Sequence, residues 1–106
     1  MTAEDLLTLV RPVFVQLLSD AELKSLGLEV VPIDEPDGAA LMSSDPIHRE
    51  GAAVRWSILG ERGWSSELDP RADAAALEGA LLGDLQDFIA ESDFGWGQLR
   101  FPPTTA

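Results

Sequence analysis

The apolar residues between Asp69 and Ser92 recur with the period of an α-helix, and this segment constrains the fold more than any other. A projection at 100° per residue places seven side chains in one broad apolar sector: Ala74, Leu77, Leu81, Leu82, Leu85, Phe88 and Ile89. Asp69-Pro70 signals a helix start, because an aspartate N-cap precedes proline at the first helical position. The sequence predicts a long helix that begins at Asp69, runs to about Ser92 and buries this sector.

Two capping signals predict helices near the N-terminus. Thr2 is followed three residues later by Asp5, and Ser19 by Glu22, which is the spacing of a capping box. Apolar residues share one face of the first segment, with Pro12 on the opposite side. We therefore expect a first helix that is kinked or split at Pro12, because proline lacks the N–H of a regular helix, and then a short second helix.

The middle of the chain has the alternation and turn residues of an antiparallel sheet. After a helix end at Gly27, residues 28–33 resemble a strand in which Pro32 favours a sheet edge or a bulge. The segment 35–38 is a strong turn signal that returns the chain into residues 39–43. Residues 54–58 alternate as in a half-buried strand, with Arg55 and Ser57 on the solvent side.

Further turn residues extend this pattern. A turn at residues 60–63 leads into residues 64–68, which allows Trp56 and Trp64 to be cross-strand neighbours on the buried face. Residues 97–101 can add a short final strand. The prediction is an α+β fold in a single domain, residues 1–106. It has an N-terminal helix, an antiparallel sheet of three to five strands and a long C-terminal helix packed on one sheet face.

Charge and composition exclude several classes of function. The net charge is −12 and the seven basic residues are scattered, so we expect no nucleic-acid partner, because that affinity comes from clustered Lys and Arg. The acidic start of the chain and the lack of a long apolar run predict a cytoplasmic protein with no membrane partner. Six Arg against one Lys, with abundant Ala, suggests a bacterial source.

No metal site and no cofactor are expected. The chain has no Cys and one His, so it lacks thiolate ligands and any pair of histidines at metal-ligand spacing. It also lacks a phosphate-binding glycine motif. These residues give no positive signal for catalysis.

The long helix has an acidic stripe that consists of Asp73, Asp84, Asp87 and Glu91, and it has no Lys or Arg after Arg71. Folding alone favours basic residues one turn away from such carboxylates. The stripe is therefore either a solvated face or a docking face for a basic protein. The predicted partner-binding site combines three carboxylates with two aromatic residues that follow the helix: Asp84, Asp87, Glu91, Phe94 and Trp96. The two aromatic residues either close the end of the core or are exposed anchors for a partner.

A face of small residues lies between the acidic stripe and the apolar sector. Gly79, Gly83 and Ala76 are its central members, and each glycine costs about 1 kcal/mol relative to alanine inside a helix. Close approach of another backbone explains such a cost. That backbone is either the first helix of the same chain or, as a candidate dimer face, the same helix of a second copy.

The most consistent function is a protein-protein interaction or regulatory module without catalysis, with self-association as a homodimer as the alternative. A less favoured alternative is a hydrolase that uses carboxylates alone, with Glu78 and either Glu67 or Asp45 as the acid and base. Glu78 projects into the apolar sector, and we expect it to reach the rim of the core or to pair with Arg55.

Overall fold

The computed structural model describes residues 1–34, 38–47, 51–69, 71–93 and 95, and these residues form an α+β fold. Its helices and strands, in chain order, are α1 (Ala3–Leu17), α2 (Asp20–Ser25), β1 (Gly27–Pro32), β2 (Ala52–Ile58), β3 (Glu61–Trp64) and α3 (Ala74–Glu91). The strands pair antiparallel in the order β1-β2-β3. Within the described ranges, this three-stranded sheet agrees with the predicted fold class.

The first two helices begin where their capping residues predict. Thr2 caps α1 and Ser19 caps α2, and both capping boxes are complete, with the Asp5 and Glu22 carboxylates accepting from the backbone N–H of their caps. α1 continues through Pro12, so the chain is not split there. Pro12 lies on the exposed side of the helix, where water can bind the carbonyl that its missing N–H leaves free.

β1 is an edge strand and ends at Pro32, as the missing N–H of that residue predicts. The predicted return through residues 39–43 does not form a strand. It makes one backbone hydrogen bond to β1, from Leu41 N–H to the Val30 carbonyl at 2.7 Å. This bond covers part of the outer edge of β1. Residues 35–37 of the predicted turn lie outside the described residues, as does the predicted strand at 97–101.

Trp56 of β2 is the centre of the core and joins the sheet to both long helices. Its ring makes edge-to-face contacts with Phe14 of α1, at 5.8 Å between centroids, and with Phe88 of α3, at 5.4 Å. The residue opposite Trp56 on β3 is Gly63. A Cβ at Gly63 would collide with the indole nitrogen and come within 2.6 Å of Phe88 Cδ2. The indole therefore occupies the space that a side chain on β3 would need.

This register corrects two predictions. The turn between β2 and β3 lies at Leu59–Gly60, not at residues 60–63, and both of its residues have positive φ, as a type I′ hairpin requires. The glycine at 63 makes room for Trp56 instead of forming a turn. Trp64 pairs with Arg55, so it lies on the opposite sheet face from Trp56 and is 38% exposed. The predicted pairing of the two tryptophans is therefore wrong.

Arg55 is buried, which also differs from the prediction of a half-buried strand. Its guanidinium pairs with the Glu29 carboxylate across the strands, at 3.1 Å from Nη2 to Oε1, and donates from Nη1 to the Gly38 carbonyl at 2.8 Å. The expected pairing of Arg55 with Glu78 is wrong, because Arg55 lies on the sheet face that is turned away from the helices. β2 is consequently buried on both faces over most of its length.

Candidate interaction surface

α3 begins four residues later than predicted. Asp73 is its N-cap and accepts from Ala76 N–H at 2.8 Å. Asp69, the predicted cap, instead binds the backbone N–H of Arg71 at 2.9 Å and its guanidinium at 3.1 Å. These hydrogen bonds from Arg71 hold the pKa of Asp69 below its ordinary value. The C-terminal end of α3 agrees with the prediction, since the helix ends at Glu91 with Ser92 as its C-cap.

α3 is buried along one narrow seam, formed by Leu77, Leu81, Leu85 and Ile89. Two other members of the predicted apolar sector, Leu82 and Phe88, are half-buried, whereas Ala74 is exposed. Ala74 lies in the first turn of the later-starting helix. The fold therefore leaves the opposite side of α3 in contact with solvent.

That opposite side is a ridge of small residues, and we call it the α3 ridge. It consists of Ala76, Gly79, Ala80 and Gly83 with Asp87 at its C-terminal end, and all five are exposed. A Cβ placed at Gly79 or Gly83 would have no heavy atom within 4 Å. α1 does pack against α3, but these glycines do not mediate the contact. The expectation that they serve close packing within the chain is therefore wrong.

The four carboxylates of the acidic stripe differ in their hydrogen-bond partners. Asp73 is the N-cap, and the Asp84 carboxylate accepts from both the backbone N–H and the hydroxyl of Ser66, at 2.7 and 2.8 Å. Asp84 therefore ties the segment after β3 to α3. The exposed carboxylates of Asp87 and Glu91 make no hydrogen bond or ion pair with any described residue.

The last turn of α3 contains no basic residue, so Asp87 and Glu91 lie near the negative end of the helix dipole with no cation on the same turn. Arg62 of β3 lines the same surface groove as Glu91. The other predicted partner-binding residues, Phe94 and Trp96, lie outside the described residues.

α1 and α3 enclose an open groove of about 230 Å³ beside the α3 ridge. Its apolar walls include Pro12, Val13 and Leu82, and Gly79 leaves space at its α3 side. The half-buried Glu78 also lines the groove. Its carboxylate has no hydrogen-bond or ion-pair partner among the described residues. Glu78 thus reaches the rim of the core between two helices, which was one of its two predicted positions.

The carboxylates considered for catalysis are dispersed. Glu78 is the only carboxylate among the residues lining the groove. Asp45 accepts from Met42 N–H at 2.8 Å within its own loop, and the side chain of Glu67 lies beside Gly51. In the part of the chain that the structure describes, no three His, Asp or Glu side chains are grouped as metal ligands.

The fold and the surface thus define a small α+β protein with an exposed ridge on its C-terminal helix. Comparison with protein-family models, with curated proteins and with solved structures finds no significant match. None of the helices within the described ranges has the length and apolar character needed to cross a bilayer.

Proposed function

We propose that this chain is a protein-protein interaction module without catalysis and that it binds its partner along the α3 ridge. The observation that carries this proposal is the open space around Gly79 and Gly83. Each glycine costs about 1 kcal/mol relative to alanine inside a helix, and no contact within the described chain requires its small size. A partner helix that packs closely on the ridge does require it, because interaxial distance depends on the side chains at the crossing.

Charge favours a basic partner. Asp87 and Glu91 carry two exposed negative charges at the end of the ridge, and neither has a partner among the described residues. The protein has a net charge of −12. A cation bound there would offset both the like-charge repulsion and the unfavourable helix-dipole interaction. Asp84 has a smaller part in this surface than the sequence suggested, because Oδ2 of its carboxylate already accepts two hydrogen bonds from Ser66.

The experiment is affinity capture with three forms of the protein at ~50 and ~500 mM salt, where screening lengths differ about threefold. The ridge variant carries Gly79→Gln and Gly83→Gln, and the charge variant carries Asp87→Asn and Glu91→Gln. We expect the ridge variant to lose the partner at both salt concentrations, and the charge variant to lose it mainly at low salt. Equal capture by all three forms would contradict the proposal.

A second copy of the chain is the alternative partner, and the distribution of charge along α3 favours it in one orientation. An antiparallel crossing centred between Gly79 and Gly83 places each glycine opposite the other glycine of the second copy. It also places Asp87 near Ala75 at the positive end of the helix dipole, two residues after the Asp73 N-cap, and keeps the two Asp87 carboxylates apart. A parallel crossing would bring the two Asp87 carboxylates together.

Sedimentation velocity over a wide concentration range separates the two candidates. A homodimer predicts concentration-dependent association that the paired Gly79→Gln and Gly83→Gln substitutions abolish, whereas Thr8→Gln on the exposed side of α1 leaves it unchanged. A wild-type protein that remains monomeric throughout would reject the second copy as the partner and leave the basic protein as the candidate.

A further inference from the structure

The groove between α1 and α3 combines apolar and polar side chains. Pro12, Val13 and Leu82 supply apolar surface, whereas Gln16 and Glu78 supply polar groups. The half-buried Glu78 has no hydrogen-bond or ion-pair partner for its carboxylate among the described residues. The carboxylate is therefore available to a cation that enters the groove.

The size and shape of the groove restrict what it can hold. Its volume of about 230 Å³ is below the roughly 300–1,000 Å³ of clefts that hold whole ligands, so it suits one long side chain. Gly79 leaves the α3 side of the groove unobstructed, since nothing lies within 4 Å of the position of its missing Cβ. The carboxylate of Glu78 is complementary to a cation, and the apolar walls are complementary to methylene groups.

We propose that this groove receives one lysine or arginine side chain of the partner protein, with the methylene groups against Pro12, Val13 and Leu82 and the cation on the Glu78 carboxylate. Lysine and arginine pack their aliphatic stems on apolar surface while the charge stays at the rim. The inference rests on the proposed function, because the partner that supplies the side chain docks on the neighbouring α3 ridge.

The probe is a blocked Gly-Lys-Gly tripeptide, titrated into ¹⁵N-labelled protein and followed by backbone amide shifts. The same peptide with norleucine retains the methylene groups and removes the charge. We expect saturable shifts at residues 13–16 of α1 and 75–82 of α3, with a millimolar dissociation constant that suits a single side chain. Glu78→Gln should weaken binding at least tenfold, and Gly79→Met, which fills the groove, should abolish it.

The matched control is Glu4→Gln in the exposed first turn of α1, outside both the groove and the α3 ridge, which should change the affinity less than twofold. Equal binding of the norleucine and lysine peptides, or unchanged lysine binding by Glu78→Gln, would overturn this inference. Neither result would bear on the proposal that a partner binds the α3 ridge. If the wild-type protein captures no partner but still binds the lysine peptide at the groove, the proposed function is overturned and this inference is not. The two failures are therefore distinguishable.

Discussion

Replacement of glycine by alanine should lower the free energy of unfolding at Gly63 and raise it at Gly79. At Gly63 the new Cβ would meet the indole of Trp56 and lie 2.6 Å from Phe88 Cδ2. The indole cannot move aside easily, because Phe14 and Phe88 pack on it from both helices. Overpacking of a core costs typically 1–3 kcal/mol, and we expect Gly63→Ala to reach about 3 kcal/mol because its clash is with rigid aromatic rings.

At Gly79 the same methyl group enters open space. Alanine is the better helix former by about 1 kcal/mol, so Gly79→Ala should stabilise the monomer by that amount. At about 4 °C per kcal/mol for a domain of this size, the melting temperatures should fall by about 12 °C for Gly63→Ala and rise by about 4 °C for Gly79→Ala.

The assay is urea unfolding of both variants and the wild type, followed by far-UV circular dichroism and tryptophan fluorescence. Measurements at low protein concentration keep self-association from contributing. A loss below about 0.5 kcal/mol for Gly63→Ala, the range of neutral surface substitutions, would refute the packing of Trp56 over β3. Destabilisation by Gly79→Ala would refute the open ridge.

Three further predictions, made with four substitutions, test separate parts of the structure. Asp84→Ala removes the acceptor of two hydrogen bonds from Ser66 and should cost about 1 kcal/mol. Asp87→Ala should be neutral in the same urea titration, because Asp87 has no partner among the described residues. Glu78→Leu should be neutral or stabilising, because the carboxylate has no partner among the described residues and leucine adds apolar contact in the groove. A loss of several kcal/mol on thermal melting would show an ion pair instead. Hydrogen bonds from its N-cap keep the pKa of Asp5 below the ordinary 3.8, so its contribution is present above pH ~4 and is lost as the pH falls through the lowered pKa. The difference in unfolding free energy between wild type and Asp5→Asn should therefore shrink as the pH is lowered from 6 to ~2, and a difference independent of pH would contradict this.

Features set by residues close in sequence were predictable from the sequence. The capping boxes at Thr2 and Ser19 involve partners three residues away, and the buried seam of α3 follows from the helical period. Pro32 indicated a sheet edge because proline has no N–H to donate. In each case the physical cause lies within a few residues, so no knowledge of the tertiary structure was needed.

Features set by contacts between distant segments were not predictable in the same way. Two glycines at 60 and 63 indicate a turn between them, but only the packing of Trp56 shows why the second glycine belongs to a strand. The resulting register turns Trp64 to the other face and aligns Arg55 with Glu29, which lies 26 residues earlier. The hydrogen bonds from Ser66 to Asp84 depend equally on how β3 meets α3.

In the candidate surface, too, local features were predictable from the sequence and features that depend on tertiary contacts were not. The helical period placed Ala76, Gly79 and Gly83 on one face, and the structure shows that this face is exposed. The sequence could not show that α1 leaves these glycines free, because that depends on the position of α1 over the core. It also could not separate Asp84, which binds Ser66, from Asp87, which has no partner among the described residues.

Site-specific photo-crosslinking tests the central claim most directly, namely that the α3 ridge is the surface that binds a partner. A photoreactive amino acid replaces Ala80 on the ridge or, as the control, Thr8 on the exposed side of α1, and each protein is irradiated in a lysate of the source organism. We expect one discrete adduct from position 80 and none from position 8, with mass spectrometry distinguishing a second copy from a basic protein. The adduct should disappear when Gly79 and Gly83 are both replaced by glutamine. No adduct from position 80, or the same adducts from both positions, would contradict the account.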